Sequence, residues 1–455
     1  MLSRREMLRV GGALGLSTLG LQQAMAAQPA ASPLKRGGSF GRAKACIVLF
    51  LAGGPPQHET WDPKPDASAD IRGDFGTIKS TIPGLRVGEL MPKLAKQAHK
   101  WSVLRAVRTE DNAHSASGYY MLTGRPHSPK GQENATSKEP NLWPSFGAVA
   151  GRLMPRRGPL PGAVTVPEHI WNTGMIPWPG QDAGWMGRAS DPWLIQCDPN
   201  EPNFTMSGLE LPPGVDQLRL KQRLSLHKQL NDHVDSYARL RDFEGHDAWT
   251  NTAVDLLASN NTRKAFNLDD ETKETRDRYG RHRFGQSVLL ARRLVESGVS
   301  LVQVNWTRDK DGTNDSPMWD THQKHSHWIK NRLMPPMDAA ASALIDDLSE
   351  RGLLDETLVV WMGEFGRTPK INGQGGRDHW GNVFSMAMAG GGIREGVVHG
   401  ASDAIGAEPK EGVVKPENVL ATVFHCLGLG ADATITDPTG RPHHITYGDP
   451  VKAII

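Results

Sequence analysis

The chain has 455 residues, 38% hydrophobic and 22% charged, an ordinary globular composition. A formal net charge of +2 is too small to argue for a nucleic-acid partner or a membrane surface. No apolar run of ~18 residues follows the N-terminal region, so no later segment is expected to span a membrane. Residues 1–27 read as a targeting segment: Arg4 and Arg5 open it, a mild Gly/Ala/Leu stretch follows, and Ala24-Met25-Ala26 closes it. That order fits a twin-arginine export signal and predicts a periplasmic protein delivered folded. Residues 28–42, rich in Pro, Gly and Ser, read as a linker to a single domain over 43–455.

Within that domain "ACIVLFLAGG" (45–54) is an apolar run closed by two glycines, as a central parallel strand would be. Further strands are expected at "WSVLRAVRT" (101–109), "VSLVQVNW" (299–306), "TLVVWMGEFG" (357–366) and "FSMAMAGGG" (384–392). Residues 334–352 predict a helix opened by Pro335 and Pro336 and followed by Gly352, and 415–429 another. Strand, helix, strand in that order is a βαβ unit. Residues 160–203 read as loop-like, with Trp171, Trp178, Trp185 and Trp193, and 217–245 as a charged helix. The expected fold is therefore α/β, a mostly parallel central sheet flanked by helices, with a helical and loop-rich insertion over about 160–250. Cys46, Cys197 and Cys426 are too scattered for a disulfide framework, and Cys46 and Cys426 sit in apolar runs as buried thiols would.

Open parallel sheets place their sites at the carboxyl ends of the strands. His58 and Asp62 follow the first strand, and His114, Ser115 and Ser117 the second. Asp320 and His322 follow the third, Glu364 the fourth, and Asp378 and His379 lie in the next loop. Carboxylates and imidazoles gathered this way suit a divalent metal, which polarises an ester oxygen and acidifies water. A lone Asp-His pair is ordinarily a solvated turn; four strand ends offering such groups together are not. His425, in an apolar helix, is expected to be a packed core residue, and His443 and His444 surface residues.

"HSASGYYMLTGR" (114–125) resembles the sulfatase nucleophile signature, C/S-x-P-S-R-x-x-x-L-T-G-R, in Ser117 and "LTGR". "LVQVNW", "WDTH" and "TLVVWMGEFGR" resemble the part of the alkaline phosphatase and sulfatase superfamily where an Asp, a His and a second carboxylate bind metals. The chain after the signal is similar throughout to the bacterial domain-of-unknown-function family 1501. The similarity rests on "GGPPQHETWDPKP" (53–65), "WDTH" (319–322), "GEFGRTPKINGQGGRDHW" (363–380) and a C-terminal "GRP". It implies an alkaline-phosphatase-like fold and carries no established activity.

The departures are chemical. Where sulfatases carry paired Asp this chain has Gly53-Gly54, where they carry the aldehyde-forming Cys it has His114, and the late carboxylate motif is Glu364-Phe365. Formylglycine chemistry is thereby excluded. The expected metal set is His58, Asp62, His114, Asp320, His322, Glu364, Asp378 and His379, suited to one or two ions of zinc, manganese or iron. His114 or Ser115 would serve catalysis, with Arg125, Arg367 and Arg377 holding the anion of a small-molecule or saccharide ester. The expected activity is hydrolysis of a phosphate or sulfate ester. The alternative is an exported metal-binding or assembly protein that keeps the fold and performs no hydrolysis.

Overall fold

Residues 45–51 carry Ile, Val, Leu and Phe without a polar break, which suits a strand covered on both faces, and they form β1 (Ala45–Leu51), buried throughout. The structure, a computed structural model, describes residues 38–172, 174–202, 204, 259–308 and 318–455. β1 is joined by β2 (Trp101–Val107), β3 (Ala163–Val166), β4 (Trp193–Leu194), β5 (Leu301–Trp306), β6 (Thr357–Met362), β7 (Phe384–Ala389) and β8 (Val398–His399). These make one eight-stranded sheet ordered β8-β2-β7-β6-β1-β5-β3-β4. All of its pairings are parallel except the two made by β7. Register at the centre is set on both sides of β1, where Cys46 faces Leu301 of β5 and Leu358 of β6. The sequence therefore predicts the fold class correctly: α/β, with a mostly parallel sheet.

Helices cover the sheet: α1 (His114–Thr123), α2 (Arg283–Glu296), α3 (Met334–Glu350) and α4 (Pro416–Cys426). α3 begins with the expected proline pair and packs against α2. Between these helices Arg292, 1% exposed, pairs with Asp347 of α3 at 2.9 Å and with Glu271 and Glu296 at 2.8 and 2.5 Å. A guanidinium so placed is the buried hub of a network whose acids also pair with Arg351 and Arg293.

Two expectations are corrected. Ala163–Val166 lies in the stretch read as loop, yet forms β3 beside β5; four residues between Pro/Gly segments are too few to register as an apolar run. His425 is half-buried on α4 rather than in the core, its Nε2 2.9 Å from Ser39 Oγ and its ring edge-on to Phe40. Residues 1–37 and the charged stretch 217–245 lie outside the described residues. Among those described, no helix is long and apolar enough to cross a membrane.

The parallel direction of β1, β2, β5 and β6 brings their carboxyl ends to one edge of the sheet. Because β7 alone runs the other way, the loop that enters it, carrying Asp378 and His379, reaches the same edge.

Candidate metal centre

His114 opens α1 directly after β2, and its ring is held between Trp178, stacked at 5.6 Å, and Phe365 at 4.8 Å. Asp320 follows β5 in the sequence, and His379 lies on a short strand paired with Gly366–Arg367. One ligand atom from each of His114, Asp320 and His379 lies within 4.8 Å of the others. Asp320 Oδ1 is the meeting point, 3.3 Å from His114 Nε2, 3.1 Å from His379 Nε2, 3.0 Å from His322 Nε2 and 2.7 Å from the Arg367 guanidinium.

The other face of each imidazole is anchored. His114 Nδ1 donates to Glu364 Oε1 at 2.6 Å, His322 Nδ1 to Asp378 Oδ1 at 2.7 Å, and His379 Nδ1 to the Asn112 carbonyl at 2.7 Å. With its proton held at Nδ1, each ring turns the Nε2 lone pair toward the common point, as rings that ligate metals do. Two further observations fit a cation there. His114 Nε2 is buried with no hydrogen-bond partner. His322 Nε2 and His379 Nε2 lie 2.8 Å apart, too close for two lone pairs with nothing positive between them. The donor set, imidazole nitrogens plus one carboxylate, suits zinc and its neighbours in the transition series.

The electrostatics agree. Burial pulls the His114 imidazole down, but Asp320 and Glu364 overcome it and hold it up at about 9. Burial raises Asp320, yet His114 and Arg367 keep it well below the usual carboxylate range. Burial pulls His379 down to about 4, since Asp320 offsets only part of the combined effect of burial, His114 and Arg367. In the metal-free chain a proton on His114 thus does what a divalent ion would do better. His322, more exposed, is raised first by its hydrogen bond to Asp320 and then by Asp378.

The predicted residues sort into four groups. His114, Asp320, His322 and His379 converge. Glu364 and Asp378 stand behind His114 and His322 as orienting carboxylates rather than at the centre. His58 and Asp62 are elsewhere: the turn Gln57–Glu59 carries His58 to the Ile405 carbonyl, 2.8 Å away, where burial lowers it to about 4. Asp62 is tied to Lys64, Arg105 and Ser402. Ser115 bonds the 132–135 loop, donating to Gln132 O and accepting from Ala135 N, and Ser117 bonds the Glu364 carbonyl. Both hydroxyls are therefore engaged away from the point on which the rings converge.

The three predicted anion-holding arginines are likewise committed. Arg125 lies between the Trp143 and Tyr447 rings, 4.1 and 3.6 Å from their centroids. Arg377, wholly buried, is paired with Glu59 at 2.7 Å and donates to the carbonyls of Ile71, Thr368 and Pro369. Arg367, also buried, binds Asp320 and the carbonyls of Gly53, Gly54 and Arg377. It neutralises Asp320 from behind.

Gly53-Gly54 has a steric reason. A Cβ on Gly53, at φ +111°, would lie 2.5 Å from Asp320 N, and one on Gly54, at φ +85°, would lie 2.6 Å from the Phe365 ring. The glycines let Asp320 and Phe365 close over the end of β1, and Gly53 N donates to Glu364 Oε1 at 2.8 Å. The site also uses residues that sequence reasoning missed. Gln57 brackets the Arg367 backbone, Asn372 donates to Asp378, and Glu133 accepts from His114 N. All three look like ordinary polar loop residues, and only their strand-end neighbours hint at more.

Beside the centre opens a cleft of about 200 Å³ lined by Trp171, Asn172, Trp178, Asn134, Glu133 and Arg308 together with His114, Asp320 and His379. Trp171 and Trp178 are thus wall residues of the site, whereas Trp185 packs against Trp143 and Trp193 against Phe266.

Comparison with solved structures finds weak likenesses. The chain is similar to the lipoteichoic acid synthase LtaP from Listeria monocytogenes, at 11% identity over 91% of this chain and 78% of that one, TM-score 0.41. It is similar to the PsFucS1 sulfatase from Pseudoalteromonas sp., at 14% identity over 86% and 68%, TM-score 0.39. A third is a protein in the alkaline phosphatase superfamily from Vibrio parahaemolyticus, at 10% identity over 86% and 68%, TM-score 0.36. Comparison with curated proteins finds no match. One family model covers nearly all of the chain, residues 43–455, and the protein accordingly belongs to the family described as "Protein of unknown function (DUF1501)".

Proposed function

We propose that the protein is an exported, metal-dependent hydrolase of phosphate or sulfate esters. The observation that carries this reading is the shared construction of His114, His322 and His379, each anchored at Nδ1 and aimed through Nε2 at one point. His114, Asp320 and His379 would hold a single ion, leaving a position open toward the cleft, as in catalytic rather than structural sites. When bound, such an ion acts as a Lewis acid on an ester oxygen and brings the pKa of water to about 7. His322, backed by Asp378, would bring its Nε2 to the same ion as a further, more exposed ligand. Glu364 fixes the His114 tautomer, and Trp178 and Phe365 fix its plane. Export to the periplasm is the reading of the Arg4-Arg5 segment as a twin-arginine signal.

A specific observation favours a second reading, a metal-binding protein without hydrolysis: both serines of the α1 motif are engaged elsewhere. One experiment decides. The protein is purified without chelator, its metal content measured, and 4-nitrophenyl sulfate, 4-nitrophenyl phosphate and bis(4-nitrophenyl) phosphate offered to it and to His114→Ala/His379→Ala. About one equivalent of a transition metal, lost in the variant together with cleavage, is the expected result. A loaded protein inert toward all three esters leaves the second reading, and a metal-free wild type overturns both.

A further inference from the structure

The arginines that the motifs single out are all occupied, yet the cleft wall contains another. Arg308, just beyond the end of β5, lines the cleft beside His114, Asp320 and His379. Among the described residues its Nε is buried with no hydrogen-bond partner, and Asp320 Oδ2 is 4.0 Å from a terminal nitrogen, outside hydrogen-bond reach. The fork is therefore held near the metal point but not saturated. A partly buried guanidinium in that condition costs free energy until an acceptor arrives. In the same wall Trp178 Nε1 is also buried without a partner. The remaining polar wall residues, Asn134, Asn172 and Glu133, carry no positive charge to compete for an anion.

From this geometry we infer that Arg308 is the substrate-binding residue that holds the tetrahedral oxyanion of the ester. The inference rests on the hydrolase reading above, and it moves the anion-holding role from Arg125, Arg367 and Arg377 to a residue outside every motif. A guanidinium presents paired N–H groups that match two oxygens of a sulfate or phosphate group, so loss of the fork affects anion affinity directly.

The test is calorimetric titration of inorganic sulfate into zinc-loaded full-length protein, with Arg308→Gln and Arg125→Gln in parallel and zinc content measured in every sample. Sulfate affinity should fall roughly tenfold or more in Arg308→Gln at unchanged zinc content, and stay within about twofold of wild type in Arg125→Gln. Equal sulfate binding by Arg308→Gln and wild type overturns the inference, as does a loaded wild type that binds no sulfate. Failure of the underlying reading looks different: a wild type that retains no zinc.

Discussion

Asp378 is half-exposed and touches the centre only through His322 and Asn372, so its replacement separates ring orientation from folding. Asp378→Asn should leave the melting temperature of the metal-free chain within a degree or two and weaken metal affinity about 10–100-fold, as changes behind a ligating histidine do. Unchanged metal affinity in a competition titration would show that the His322 ring is not used. Gly53 makes the opposite case, because its cost lies wholly in the backbone. A Cβ there meets Asp320 N at 2.5 Å with φ at +111°, and Gly53→Ala should destabilise by about 2 kcal/mol or more. Thermal melts of the metal-free protein check this, and a wild-type melting point would refute it. The convergent residues were legible before the fold because each lies in the stretch that leaves or enters a strand at one edge of the sheet, which is where an open sheet exposes polar groups. The roles of Glu364 and Asp378 were not legible, since ligand and orienting carboxylate differ only in which ring nitrogen they face. His58 misled because it too follows a strand, and only the turn at Gln57–Glu59 buries it elsewhere. Arg308 reads as a lone surface charge until Asp320 is placed 4.0 Å away.

At the level of elements, the long strands were legible because an apolar run ended by glycine or a polar loop has few other readings. β3, β4 and β8 are four, two and two residues long and take their identity from the neighbour they pair with, which sequence pattern cannot show. The contact between α2 and α3 carries its own prediction. Arg292→Ala would leave buried Asp347 and half-buried Glu271 without their shared guanidinium, and should cost roughly 3–5 kcal/mol. Urea unfolding measures it, and a loss below about 1 kcal/mol would mean that Arg351, 2.6 Å from Asp347, and Arg293, paired with Glu271, can carry the network without it.

For the whole molecule the sharpest expectation concerns acid. Burial lowers His58, His282 and His379 from 6.5 to about 4, so between those values the unfolded chain binds protons that the folded chain refuses. Stability should therefore fall as pH drops from about 6.5 toward 4, by up to ~1.4 kcal/mol per pH unit for each group, and keep falling below that as carboxylates held low, such as Asp320, take up protons. Urea midpoints of the metal-free protein across that range test it. His58→Gln should shallow the slope by about one proton, and an unchanged slope would remove His58 from the account. The placement of the centre has a consequence for the order of assembly. His114, Asp320, His322 and His379 come from three separate stretches of the chain and meet only after β2, β5 and β7 have been gathered around β1 and β6. No short length of nascent chain presents the full set, so an ion would be the last component to arrive. The compartment in which the chain folds, rather than the one in which it works, would then decide which metal it carries.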